Sequence, residues 1–159
     1  MTKEIINQES EDKLTSILSG VSGEYFVAAE LSRKGYIASI TLRNTKGVDI
    51  LASNSDASRS VAIQVKTNQG SKRYWIMNNK AERFHSENHF YIFVNLNGMS
   101  DPPKYYIVPS KIVAEYVISS HANWLANPGK NGKKRSDSTM RKFYDNEEKF
   151  LNRWDLLFL

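Results

Sequence analysis

Two stretches of this chain constrain its fold more than any others. Gly47-Val48-Asp49-Ile50-Leu51-Ala52 and Val61-Ala62-Ile63-Gln64-Val65-Lys66-Thr67 are both apolar and rich in β-branched residues, with the turn formers Asn54-Ser55-Asp56-Ala57-Ser58 between them. That pattern predicts an antiparallel hairpin. Asp49, Gln64 and Lys66 are its polar exceptions. If Ser55 pairs with Ser60, Leu51 falls opposite Gln64 and Asp49 opposite Lys66, and the alternation of side chains puts Gln64 and Lys66 on one face. Alone, such a trio is either an ion pair at a sheet edge or part of a chemical site. A site needs a third element.

One candidate lies upstream. Ser22 to Gly35 reads as a helix closed by glycine, with Val27, Ala28 and Leu31 on one apolar stripe. Glu24 precedes these by helical spacings and so shares the core-directed side. It is either a first-turn acid favoured by the helix dipole or a functional carboxylate.

The rest of the chain supplies strands and a second helix. Residues 1–13 read as a polar arm, and an apolar stripe begins at Leu14, Ile17 and Leu18. Tyr36 to Leu42 is expected as a strand, and Arg73 to Met77 as a further strand of the same meander. Asn78 to Phe84 suggests a short helix. His89 to Leu96 is apolar almost throughout, the pattern of a central strand buried on both faces. Lys104 to Pro109 follows as another strand. Ser110 is placed to cap a helix whose apolar positions are Ile112, Val113, Tyr116 and Val117. Residues 127–136 read as loop, Asp145 to Asn152 as a last short helix, and Leu156 to Leu159 as an apolar tail that docks on the core or on a second subunit. This order predicts an α/β or α+β class with a mixed central sheet flanked by helices.

Composition narrows the chemistry. The 159 residues suit one domain spanning 1–159. No apolar run approaches the roughly 20 residues of a membrane span, and the N-terminus has no signal-peptide pattern, so a cytoplasmic protein without a membrane partner is expected. The chain has no cysteine, which excludes disulfides, thiolate metal sites and cysteine nucleophiles. Carboxylates, histidines and carbonyls remain as ligands, a set suited to hard cations such as magnesium or manganese. The formal charge is +5. Six basic residues (Lys130, Lys133, Lys134, Arg135, Arg141, Lys142) and the single acid Asp137 concentrate a local +5 between Lys130 and Lys142. That segment is either a phosphate-tracking surface or a solvated loop.

Glu24 on a helix, Asp49 on a strand and Gln64-Val65-Lys66 on the next strand together resemble the PD-(D/E)XK, or restriction-endonuclease-like, nuclease superfamily in a QxK variant. Among its branches the pattern is most similar to archaeal-type Holliday junction resolvases and Mrr-like restriction enzymes. The resemblance covers roughly residues 21–108. It implies an αβββαβ core and a metal-dependent endonuclease that hydrolyses DNA phosphodiesters. It further implies catalytic roles for Glu24, Asp49, Gln64 and Lys66, with a magnesium or manganese ion held by Asp49, Glu24, the Gln64 side chain and the Val65 carbonyl. Val48 replaces the proline of the motif's name. Gln64 replaces its second acid and removes one negative charge from the site. DNA as partner and a homodimer that cuts two strands follow from the same resemblance.

Arg43, Lys46, Lys72 and Arg73 flank the hairpin on turns and, with Lys133, Lys134 and Arg135, are the candidate DNA-binding residues. His85 and His89 stand four apart, a spacing that binds metal only if a helix continues through both, and they are expected at an exposed helix end. Of Trp75, Trp124 and Trp154, each is either a core aromatic or a base-stacking one. The alternative function is a non-catalytic nucleic-acid-binding or protein-interaction module on a degenerate nuclease fold.

Overall fold

The computed structural model describes residues 14–42, 45–98 and 100–159. The polar arm at 1–13 and the candidate DNA-binding residue Arg43 lie outside the described residues. Helix α1 (Ser16–Arg33) starts at Thr15, whose hydroxyl accepts the Leu18 N–H at 3.2 Å. It stops at Gly35, which takes φ +88°, a conformation open to glycine without a Cβ penalty. Its buried positions Ser19, Gly23, Val27 and Leu31 recur every fourth residue and form one face.

The strands are β1 (Ile37–Ile40), β2 (Ile50–Ser53), β3 (Ser60–Asn68), β4 (Tyr74–Asn78), β5 (His89–Asn95), β6 (Lys104–Pro109) and β7 (Met140–Tyr144), with helix α2 (Ser110–Ala126) between the last two. Five strands in the order β1-β2-β3-β5-β6 make a mixed sheet, antiparallel except for the β3–β5 pair. Helix α1 covers one face, where Val27 and Leu31 pack with Ile50, Ile63 and Ile92. The other face carries Tyr91 and Phe93, which pack under Trp75, Phe143, Val113 and Val117 from β4, β7 and α2. Strand β5 is buried along its whole length, as its continuous apolarity predicts.

Several expectations are corrected. The hairpin register is Ser53 with Ser60 and Leu51 with Ala62, two residues from the expected one. Asn54 explains the shift. Its N–H donates to the Arg59 carbonyl at 3.2 Å while its side-chain oxygen accepts the Arg59 N–H at 3.0 Å, and pairing ends there. A two-residue shift preserves alternation, so Gln64 and Lys66 stay on one face. Strand β4 leaves the meander to pair with β7 in a second sheet. Residues 78–84 hold a single 3-10 turn, Asn79–Glu82, where a short helix is expected. Ser110 is the first residue of α2 and not its cap; its hydroxyl instead bridges to Ser86, accepting the N–H at 3.2 Å and donating to the carbonyl at 3.1 Å. The region 145–152 forms turns, because the buried Asp145 carboxylate takes the N–H groups of Lys149 and Phe150, both at 2.9 Å. The apolar tail docks on the core through Trp154 and Leu157. No helix among the described residues is long and apolar enough to cross a membrane.

The tightest approach between α1 and the sheet is at Gly23. A Cβ there would overlap the Thr67 hydroxyl and stand 3.0 Å from the Thr67 Cβ. Gly23→Ala is therefore expected to cost about 1–3 kcal/mol through overpacking, read as a lower midpoint in urea unfolding. An unchanged midpoint would show that the helix lifts freely from β3.

Candidate nuclease-like site

Strand β3 is paired on both sides, and each residue's N–H and C=O point to the same neighbour. Residues 63 and 65 face β2, while Ala62 reaches the opposite side and donates to the Asn88 carbonyl at 2.8 Å. The β2–β3 ladder ends at Ile50 with Ile63. One residue earlier, Asp49 departs from regular pairing: its N–H turns onto the Ile63 carbonyl at 2.8 Å and its carbonyl accepts the Thr41 N–H from the β1 side at 2.9 Å. This leaves the Val65 N–H without a ladder partner. The Asp49 carboxylate takes it, Oδ2 accepting at 2.7 Å. By the same strand geometry the Val65 carbonyl points to the β2 side of β3.

Lys66 and Gln64 lie half-buried on the face away from α1, level with Phe93 and Tyr91 of β5. Burial lowers the pKa of Lys66 below the usual lysine value, and the Asp49 charge opposes that shift. Burial also pushes the Tyr91 phenol up to about 12, and Asp49 adds to it. The charge on Asp49 is thus felt by the side chains of this face. The carboxylate's hydrogen bond, however, is with the Val65 backbone and not with the Lys66 ammonium.

Glu24 is half-buried on α1, next to the Gly23 contact with Thr67 and so near the end of the Lys66 segment, and it carries an interaction of its own. Among the described residues, no three acids or histidines cluster in the way a side-chain-only metal site requires. The donors on β3 and at the entry to β2 are one carboxylate, one backbone carbonyl and one amide oxygen. These are hard oxygens of the kind magnesium accepts, since it commonly takes one or two carboxylates and fills its octahedron with water and phosphate.

The exposed helix end expected for His85 and His89 is not formed; of the two, His89 lies where its apolar run predicts a strand. It opens β5 and is 3% exposed, whereas His85 is exposed, and no helix joins them. The His89 Nε2 lies 2.9 Å from the Gly47 carbonyl, and its ring meets Phe84 edge-on at 4.9 Å. Phe84 in turn closes over Gly47, where a Cβ would come within 2.6 Å of the ring. Together they fix the turn that presents Asp49. The signal in the sequence was its position at the head of an apolar strand.

The candidate DNA-binding residues divide by what already holds them. Lys46, Lys133 and Lys134 are exposed. Lys72 lies over the Tyr74 ring at 5.6 Å. Arg73 is engaged by the Asn146 carbonyl at 2.7 Å and by Glu148 at 3.5 Å. Arg135 stacks on Trp124 at 4.8 Å and donates to its carbonyl at 3.0 Å. Trp75 and Trp154 are core residues; Trp124 is exposed.

No family model matches the chain, and no curated protein matches it. In fold it is similar to the bacterial homing endonuclease I-Ssp6803I, with a TM-score of 0.52, 12% identity, and coverage of 91% of this chain and 92% of that one. At that identity the likeness is one of fold: a nuclease-like α/β architecture with a mixed five-stranded sheet.

Burial lowers the pKa of His89 below 6.5 despite the opposing effects of the Gly47 carbonyl and Asp49. The folded protein therefore holds this ring neutral where the unfolded chain protonates it. Its contribution to stability is present above pH 6.5 and is lost as pH falls below that value. Thermal unfolding followed from about pH 7.5 to about pH 5.5 should show this loss in the wild type, by at most about 1.4 kcal/mol per pH unit, and a shallower loss in His89→Gln. Parallel slopes would remove His89 as a contributor.

Proposed function

We propose that this chain is a metal-dependent DNA endonuclease of the PD-(D/E)XK type, in a QxK variant, acting as a single domain and as a homodimer. One observation carries the reading. Where the β2–β3 ladder ends, the Asp49 carboxylate accepts the Val65 N–H at 2.7 Å, between Gln64 and Lys66 in the chain, and its charge acts on Lys66. A structural ion pair would not require the strand to part there.

In this reading Asp49, the Val65 carbonyl and the Gln64 amide oxygen hold a magnesium or manganese ion, and Glu24 is the second carboxylate. When bound, such an ion neutralises a phosphate oxygen and acidifies a coordinated water. Lys66 supplies a positive charge beside the scissile phosphate that orients the attacking water and offsets the negative charge developing on the phosphorus oxygens. Its partial burial strengthens that field, because the local dielectric is lower than in water. The Val65 N–H holds the Asp49 carboxylate in one orientation, so little reorganisation is needed at the moment of reaction. His89 and Phe84 act on Asp49 only through the Gly47 turn and are positioning residues.

The neutrality of Gln64 favours a second reading, a DNA-binding module without cleavage. Cleavage of duplex, single-stranded and branched DNA with magnesium, manganese or EDTA separates the two. The nuclease reading expects metal-dependent products, lowered at least about 100-fold by Asp49→Ala and by Lys66→Ala, with both variants unfolding cooperatively. Equal cleavage by wild type and variants would sink the site. DNA retention in EDTA without products under any metal would select the second reading.

A further inference from the structure

The second sheet is a two-stranded ribbon whose two faces differ. Five residue pairs join β4 to β7, from Tyr74 with Tyr144 to Asn78 with Met140. Trp75, Met77 and Phe143 point inward, and the ribbon is held by their packing, with Trp75 4.9 Å from both Phe93 and Tyr106 and Phe143 stacked on Phe93 at 4.8 Å. The alternate residues Tyr74, Ile76, Met140, Lys142 and Tyr144 form the outer face. Ile76 is 58% and Met140 51% exposed. No acid stands among the strand residues.

The charge on this face is concentrated. The Lys72 and Lys142 ammonium groups lie over the same Tyr74 ring, at 5.6 and 5.2 Å from its centre. Neither belongs to an ion pair among the described residues. Two like charges held at one ring repel, and a neighbouring anion offsets that cost. The Asn68 side chain at the end of β3 ties this corner to the strand that carries Lys66, donating to the Lys72 carbonyl at 3.2 Å and the Tyr74 carbonyl at 2.6 Å.

Beside β7 a pocket of about 250 Å3 is lined by Met140, Lys142 and Tyr144 from the ribbon and by His121 and Trp124 from α2. Beyond it, Arg135 is fixed against Trp124, so the basic loop is anchored at its end, with Lys130, Lys133 and Lys134 exposed. Of the acids nearby, Asp137 is already met by His121 at 2.7 Å and Arg141 at 3.9 Å, and Glu82 by Arg141.

We propose that the outer face of the β4–β7 ribbon enters the major groove of duplex DNA and reads its sequence, while the Lys130–Arg135 loop holds the adjoining phosphates. The proposal rests on the reading of this chain as a protein that acts on DNA. A two-stranded ribbon fits the width of the major groove. Ile76 and Met140 suit thymine methyl groups, and Lys142 suits the paired acceptors of guanine. Exposed lysines without acidic partners argue against a protein occupant, because protein interfaces are depleted in lysine.

The test is selection from a randomised duplex library by the full chain in EDTA, followed by titration of the selected and a scrambled duplex. Wild type is expected to enrich a motif. Lys142→Ala and Ile76→Ser each lower the preference for that motif by about tenfold. Lys133→Ala with Lys134→Ala weakens both duplexes alike and reduces the salt slope by about two. All substituted side chains are exposed, and thermal unfolding of each variant checks that the fold is intact.

Unchanged preference in both ribbon variants overturns the inference, as does equal binding of all duplexes by the wild type. A change of oligomeric state in Ile76→Ser with unchanged DNA selection assigns the ribbon to a second copy and also overturns it. A motif enriched by a protein that cleaves under no metal removes the nuclease reading and leaves the ribbon standing. Cleavage with unaltered selectivity in the ribbon variants does the reverse.

Discussion

The candidate site of this protein depends on one backbone group that must be satisfied. Strand β3 is flanked by β2 and β5, so its N–H and C=O groups are committed on both sides as long as both neighbours stay in register. Because regular β2 pairing begins only at Ile50, the Val65 N–H has no ladder partner. The Asp49 side chain replaces that partner at 2.7 Å. A single hydrogen bond thus closes the end of the ladder and fixes a carboxylate beside the Gln64-Val65-Lys66 segment.

The two faces of the sheet then take separate tasks. The α1 side is closed by aliphatic packing, and its close approach at Gly23 brings the helix down onto Thr67. The opposite side carries Lys66 and Gln64 in line with Tyr91 and Phe93, and the β4–β7 ribbon packs over the aromatic part of it. The exposed basic and apolar side chains of the ribbon therefore lie on the side of the sheet to which Lys66 belongs, tied to β3 through Asn68.

Much of this was legible in the chain. The hairpin, the buried β5 and the docking of Trp154 and Leu157 follow from local apolar patterns, and the structure agrees with each. The register was misjudged because Asn54 closes the turn with its own side chain, a contact that a list of turn formers does not reveal. Strand β7 was hidden because Arg141 and Lys142 read as charge on a loop. In the fold Arg141 is buried against Glu82, which leaves Lys142 on the outer face. The strand beginning at His89 is legible, but the burial of its ring is not, because that depends on the Gly47 carbonyl, distant in the sequence.

The sequence by itself determined which residues can do chemistry here: a cysteine-free set of oxygen donors, one lysine on the same strand face as Gln64, and a surplus of positive charge. Strand alternation and composition are local properties, and they survive an error of two residues in register. Only the tertiary structure decided that β2 parts from β3 at Asp49, that β4 leaves its sheet to meet β7, and that His89 and Phe84 hold the Gly47 turn. Each of these is a pairing between distant segments, chosen by which buried backbone groups and apolar faces remain to be satisfied once the local elements have formed.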